Sequence, residues 1–117
     1  MGFHFVIPSG SVNKKNQRFW NAGDACCDFY NDGPDDIHFL DELISQYKKT
    51  KNINKVSLIG HSNGAFMSHH YACKGGEKID EFFAFAGNPG ANLKECHLLE
   101  KIKVIIAHGK NDKTFSI

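Results

Sequence analysis

The segment "KVSLIGHSNGAF", residues 55–66, constrains the fold of this chain more than any other stretch. An apolar run typical of a strand passes into a run typical of a helix, and only a short turn with Gly60 and Gly64 separates them. A strand that turns so sharply into a helix is a common unit of layered α/β folds. Ser62 lies in this turn, between the two glycines.

Other apolar segments continue the alternation of strands and helices. Strands are predicted at residues 3–8, 55–59, 81–87 and 103–109, and helices at residues 35–51, 64–73 and 91–102. The last strand is nearly all apolar, which predicts that it is covered on both faces. Residues 9–34 are polar and aperiodic, and a loop of this length is usually functional or disordered. The pattern predicts a single α/β domain over residues 1–117, with a mostly parallel sheet and flanking helices.

Composition and cysteine spacing argue against several classes of partner. The formal net charge is +1 and the basic residues are scattered, so nothing points to nucleic acid or to an anionic membrane surface. No apolar run is long enough to span a bilayer, and the first residues lack the pattern of a signal peptide. The cysteines are not spaced as zinc ligands. We therefore expect no metal or organic cofactor, and neither nucleic acid nor a membrane as partner.

The glycine spacing around Ser62 has a chemical interpretation. In a Gly-x-Ser-x-Gly turn the backbone of the serine is strained, its hydroxyl stands above the sheet, and neighbouring chains leave little room for a Cβ beside it. The backbone N–H of Asn63, at the start of the helix, would be one oxyanion donor. Asp112 follows the last apolar strand, and the order Ser then Asp is that of an α/β-hydrolase. A turn that merely joins strand to helix is the less favoured alternative.

A nucleophilic serine needs a base, and none of the seven histidines is assigned that role by the sequence. His61 lies next to the serine, where its side chain should point away from it. His108 precedes the turn that contains Asp112, and we expect His108 to have a structural role. His69 and His70 lie two turns along the helix, and a metal site that they form with Cys73 is the less favoured interpretation.

Four segments of the chain together resemble one group of α/β-hydrolases. They read "RFWNAGDACCDFYNDGPDDIHFL", "VSLIGHSNGAFMSHHYAC", "FFAFAGN" and "HGKND", and they cover nearly the whole chain. They are similar to the polyhydroxybutyrate depolymerase and feruloyl esterase group. In that group a Trp-Asn-x-Gly-x-Cys-Cys loop precedes the strand-to-helix turn that carries the nucleophilic serine, which we call the elbow. The resemblance implies a serine esterase in which Ser62 is the nucleophile and Asp112 the triad acid, with Trp20, Cys26 and Cys27 in the loop on the substrate side.

The resemblance also implies a substrate class, a compartment and the state of the cysteines. The substrate would be a polyester, a feruloyl or acetyl ester of a polysaccharide, or a small ester. The group is largely extracellular or periplasmic and often disulfide-bonded. We therefore expect at least one disulfide, formed first between the Cys26–Cys27 pair and Cys73 or Cys96, because a bridge between adjacent cysteines is strained.

The chain departs from the pattern of the group at both ends. In the group, a loop that supplies the second oxyanion donor precedes the first strand, and the triad histidine follows the acid. The chain is therefore expected to be the central part of an esterase, truncated at both ends, with little activity alone and with exposed sheet edges that favour self-association. A non-catalytic α/β module, which retains the elbow only as scaffold and pairs an exposed edge with a partner, is the second hypothesis.

Overall fold

Most helices and strands lie where the alternation predicts them. The computed structural model describes residues 2–75, 78–90, 96 and 101–114. Within these residues the elements are β1 (Ser11–Val12), β2 (Arg18–Phe19), a 3-10 turn (Gly23–Ala25), α1 (Asp36–Lys51), β3 (Ser57–His61), α2 (Asn63–Gly75), β4 (Glu81–Phe85) and β5 (Lys103–Ala107). The predicted α/β class is confirmed. The helix predicted over residues 91–102 falls almost entirely outside the described residues.

A three-stranded parallel sheet, in the order β3-β4-β5, lies at the centre of the fold. Its register aligns the last residues of the three strands, which are His61, Phe85 and Ala107. All three carboxyl ends therefore lie at the same edge of the sheet. β3 begins two residues later than predicted, because the N–H of Val56 donates to the side chain of Asp80 (2.8 Å) instead of to a neighbouring strand.

One face of the sheet packs against α2 and forms the core. Phe82 and Ala84 of β4 point to this face and are fully buried, as are Ala65 and Tyr71 of α2. Leu40 of α1 joins the same cluster. Because the cluster is closely packed, a truncation such as Phe82→Ala is expected to cost about 3–5 kcal/mol of stability.

The two helices begin and end where their sequences indicate, and a buried hydroxyl links them. The Asp35 side chain caps α1 by accepting a hydrogen bond from the N–H of His38 (3.0 Å). Asn52 follows the helix in the left-handed conformation, φ 52°. The hydroxyl of Tyr71 in α2 donates to the carboxylate of Asp41 in α1 (2.6 Å), and burial raises the pKa of this hydroxyl. Neither helix is long and apolar enough to cross a bilayer.

The other face of the sheet is exposed, so the expectation that β5 is covered on both faces is wrong. Ile59, Phe85 and Ile105 point to this outer face and are 68%, 39% and 37% exposed. Ile106 of β5 is in register with Ala84 on the core face and is 54% exposed, so β5 is open on both faces. A parallel sheet is covered on both faces only when helices pack on both. Here α1 and α2 contribute to the same core on the opposite face.

Residues 3–8 do not form the predicted strand. They have no regular secondary structure, and Phe3, Phe5 and Ile7 are 86%, 82% and 93% exposed. A strand is held by hydrogen bonds to a neighbouring strand, and the described residues place none beside this segment. The loop that follows is more ordered than its composition suggests, because β1 and β2 pair as an antiparallel hairpin.

Candidate active site

Ser62 is the single residue between β3 and α2. Its backbone lies in the left-handed region, with φ 50°, which costs a residue other than glycine about 1–2 kcal/mol. Its N–H donates to the carbonyl of Phe85 (2.8 Å), and its own carbonyl accepts from the N–H groups of Ala65 (2.9 Å) and Phe66 (3.1 Å). The structure therefore contains the tight strand-to-helix turn that the glycine spacing predicts.

Close packing at the elbow involves one of the two flanking glycines. A Cβ on Gly60 would overlap the backbone of Gly64 and Ala65, so a side chain cannot be placed there without movement. A Cβ on Gly64 would meet nothing within 4 Å, which corrects the prediction that both positions are crowded. The reason is that α2 already begins at residue 63, so position 64 faces open space. The second crowded position is instead Gly87, after β4, where a Cβ would lie 2.6 Å from that of Ala65.

Ser62 and Asp112 lie at the same edge of the sheet. Ser62 follows β3, Asp112 lies in the loop after β5, and the strands are parallel and in register. Because β4 lies between them, the ends of β3 and β5 are two strand spacings apart, about 10 Å.

The carboxylate of Asp112 is paired with His108. The Nε2 atom of His108 lies 3.3 Å from Oδ2 of Asp112, and the His108 side chain is 4% exposed. The Oδ1 atom of Asp112 accepts the N–H of Thr114 (2.8 Å). Within the described residues no hydrogen bond joins a histidine to the Ser62 hydroxyl. The pairing is compatible with the structural role expected for His108, which stays a prediction.

Asn63 has the position that the oxyanion role requires. It is the first residue of α2, so its N–H is among the four that an α-helix leaves without an intrahelical acceptor. This N–H lies at the positive end of the helix dipole and directly follows Ser62 in the chain. The donor role itself stays a prediction.

The Asn63 side chain makes a contact that sequence reasoning missed. Its amide oxygen accepts the N–H of Trp20 (2.7 Å), and its amide nitrogen donates to the carbonyl of Trp20 (2.9 Å). One side chain thus pairs with both backbone groups of a residue 43 positions away. The ring of Trp20 packs against Phe39 of α1, with 6.1 Å between ring centroids.

Trp20 begins a segment with several contacts around the elbow, and we call residues 20–27 the cover segment. Gly23 lies against the ring of His70 in α2, so that a Cβ there would be 2.8 Å from Cε1. Ala25 lies against Gly90, in the loop after β4, where a Cβ would be 2.8 Å from that of Ala25. The cover segment contains all three residues that the resemblance places on the substrate side, and Asn63 ties its first residue to the elbow.

The start of α1 holds the cover segment from another direction. The carboxylate of Asp36 accepts the N–H of Asn21 (2.7 Å) and the hydroxyl of Ser11 (3.5 Å). The Asn21 side chain donates to the carbonyl of Pro34 (3.0 Å). Burial raises the pKa of Asp36, although the hydrogen bond from Asn21 acts in the opposite direction. Sequence reasoning treated Asp36 only as part of a helix start and missed this link.

The four cysteines form two disulfides, Cys26–Cys27 and Cys73–Cys96. The expectation of at least one disulfide agrees with this structure, but the expected order of pairing is wrong. Cys73 is paired with Cys96, whose Cα atom lies 4.6 Å from its own, which leaves Cys26 and Cys27 to pair with each other.

Helix α2 carries two histidines in different surroundings. His69 is 3% exposed, its ring meets Phe82 edge-on at 4.9 Å, and neither ring nitrogen has a hydrogen-bond partner. Burial lowers the pKa of His69 to about 4. Burial also lowers the pKa of His70, beside the cover segment. The alternative metal site of these histidines with Cys73 is not supported, because Cys73 is oxidised and metals bind the thiolate.

Comparison of the chain with models of protein families, with curated proteins and with solved structures gives no match. The family therefore remains a resemblance carried by motifs.

Proposed function

We propose that Ser62 is the nucleophile of an acyl-transfer site, and that the protein is a serine esterase with an α/β-hydrolase core. The observation that carries this proposal is the left-handed backbone of Ser62, φ 50°. Residues with a Cβ in this conformation cluster at functional sites. Ala86, which follows β4, has φ 54° as well, but Ser62 combines the conformation with a hydroxyl at a strand-to-helix turn.

The proposed reaction is the hydrolysis of a carboxylic ester in two steps. The Ser62 hydroxyl attacks the ester carbonyl, a histidine takes the proton, and the N–H of Asn63 stabilises the oxyanion. The same histidine then protonates the leaving alcohol, and water releases the acid from the acyl-serine. Asp112 orients the histidine. The resemblance favours a polyester, a feruloyl or acetyl ester, or a small ester as substrate.

The expected rate of ester hydrolysis depends on which histidine takes the proton from Ser62. His108 is engaged with Asp112, and we assign it a positioning role toward that carboxylate. Because the sequence assigns none of the histidines as the base, we expect this chain to react slowly, by a factor of about 10⁴ or more relative to a complete triad.

A non-catalytic interaction module is the second candidate. It is favoured by the exposed outer face of the sheet, where Ile59 is 68% exposed. In that case a partner, or a second copy of the chain, would pair with the edge of β3 or β5.

Labelling with a fluorophosphonate, which reacts with activated serines, separates the two candidates when imidazole is added as the base that the sequence assigns to no histidine. We expect one phosphonyl adduct, mapped to Ser62 and absent from Ser62→Ala. The exposed Ser9 provides a matched control, and Ser9→Ala should label as wild type does. Folded protein that carries no adduct, or carries adducts spread over several serines, contradicts the esterase and favours the module.

A further inference from the structure

We propose that the Asn63 side chain is a positioning residue that holds the cover segment, residues 20–27, beside Ser62, so that this segment forms the wall that discriminates between large and small ester groups. The inference rests on the proposed function of Ser62. It concerns the side chain of Asn63, whereas the oxyanion role concerns its backbone N–H.

The chemistry of the contact requires an amide. The backbone of Trp20 presents one donor and one acceptor, at 2.7 Å and 2.9 Å from the two amide heteroatoms of Asn63. A neutral carboxamide is the side-chain group of this length that donates and accepts at the same time. Aspartate has the same shape but only accepts, and alanine does neither.

At the start of a helix, an asparagine side chain usually bonds to nearby backbone of its own turn. Here both amide groups are used on Trp20 instead, 43 residues away. The side chain therefore joins two parts of the chain, and it does so at the residue that follows the nucleophile.

The remaining contacts of the cover segment explain why its position should matter at the site. Asn21 is held by Asp36 at the start of α1, and Ala25 packs on Gly90, in the loop after β4. If the contact with Asn63 is lost, these contacts remain. The segment should then shift beside Ser62 without detaching, which changes the space available to a bound ester but not the elbow.

Trp20 allows the link to be measured without any activity, because it is the one tryptophan of the chain. In protein labelled with ¹⁵N-tryptophan, its backbone amide gives one signal whose hydrogen exchange reports directly on the bond to Asn63. We expect this amide to be protected in wild type and to exchange about tenfold faster in Asn63→Ala, the loss expected for one hydrogen bond. Asn54→Ala, at an exposed asparagine outside the site, should leave the rate unchanged.

The effect of the Asn63 contact on the size of group that the site accepts is measured with two fluorophosphonates, one with a methyl and one with a long alkyl group. We expect the ratio of their labelling rates at Ser62 to change at least about threefold in Asn63→Ala and not in Asn54→Ala. Asn63→Asp keeps the acceptor for the Trp20 N–H and places an acid in the first turn of α2, where the dipole favours it. It should therefore fold even if Asn63→Ala does not, and it should change the ratio in the same direction.

Each result has a distinct meaning. An unprotected Trp20 amide in wild type overturns the link whatever the variants do. Faster exchange with an unchanged labelling ratio overturns the role at the site. If Ser62 of the wild type is not labelled at all, the proposed function fails, and the exchange rates still decide whether Asn63 holds the segment.

Discussion

The N–H of Ser62 donates a 2.8 Å hydrogen bond to the carbonyl of Phe85, the last residue of β4. This bond extends the pairing of β3 and β4 one residue beyond the end of β3. The left-handed backbone of Ser62 is therefore fixed by the sheet as well as by the first turn of α2, which explains how a strained residue persists there.

The two glycines that flank Ser62 should respond differently to alanine. Gly60→Ala forces a Cβ into the backbone of Gly64 and should lower the free energy of unfolding by about 2 kcal/mol or more. Gly64→Ala places a Cβ in open space within a helix and should be neutral or stabilising, within about 1 kcal/mol. Urea unfolding of both variants measures the difference. Equal losses would contradict the packing described for the elbow.

Protonation of His69 should make the stability of the fold depend on pH. Its pKa is about 4 in the folded state and about 6.5 in an unfolded chain. Between these values the unfolded chain binds a proton that the folded state excludes. The free energy of unfolding should therefore fall as the pH is lowered from about 6.5 to about 4, by on the order of 3 kcal/mol in total.

The variant His69→Leu isolates this effect. It should reduce the dependence of the unfolding free energy on pH and leave the part due to His70, whose pKa burial also lowers, whereas His38→Leu, at an exposed position of α1, should retain the full dependence. The raised pKa of Asp36 has the opposite effect on stability. At the acid end of this range it raises the free energy of unfolding as the pH falls. The comparison between the two variants is therefore the measurement that decides. Identical slopes for both would show that His69 is not the group responsible.

Peptide mapping should recover the two disulfides as the structure pairs them. Cleavage after Lys and Arg without reduction gives the peptide of residues 19–48, which contains both Cys26 and Cys27. We expect this peptide to carry an internal disulfide and to be linked to no other. The peptides of residues 56–74 and 95–101 should appear as one linked pair through Cys73 and Cys96. A link from residues 19–48 to either of them would contradict the pairing.

The exposed outer face of the sheet should drive self-association. Ile59 is the most exposed described isoleucine of this face, and Ile59→Lys introduces a charge there. The variant should weaken association by about tenfold or more, with little change in folding stability. Phe29→Lys, at an exposed aromatic residue in a loop outside the sheet, is the matched control. Sedimentation velocity over a range of concentrations compares them. Equal association by both variants would exclude the outer face as the contact.

The elements of the central sheet were predictable because their signals are local. The apolar run before Ser62, the glycines around it and the cap at Asp35 act within a few residues of each other. The conformation of residues 3–8 was not predictable in this way. Their aromatic and β-branched composition is typical of a strand, but a strand also needs a neighbour, and the composition of one segment does not report whether a neighbour is present.

The position of the candidate site was predictable, and its supporting contacts were less so. The spacing around Ser62 and the later Asp112 place these two residues at one edge of a parallel sheet, and their roles as nucleophile and acid stay predictions. The bond from Asn63 to Trp20 spans 43 residues. The crowded Gly87 likewise depends on contacts between distant segments. Such contacts follow from packing, which no local pattern encodes.

The rate at which Ser62 is phosphonylated, with and without added imidazole, tests the central claim most directly. Imidazole supplies the base that the sequence assigns to no histidine, so we expect the rate in the folded protein to rise with imidazole concentration, by about tenfold or more. Ser62→Ala and urea-unfolded protein should show no such rise. A folded Ser62 that reacts no faster than it does in the unfolded chain, with imidazole or without it, would contradict its assignment as a nucleophile.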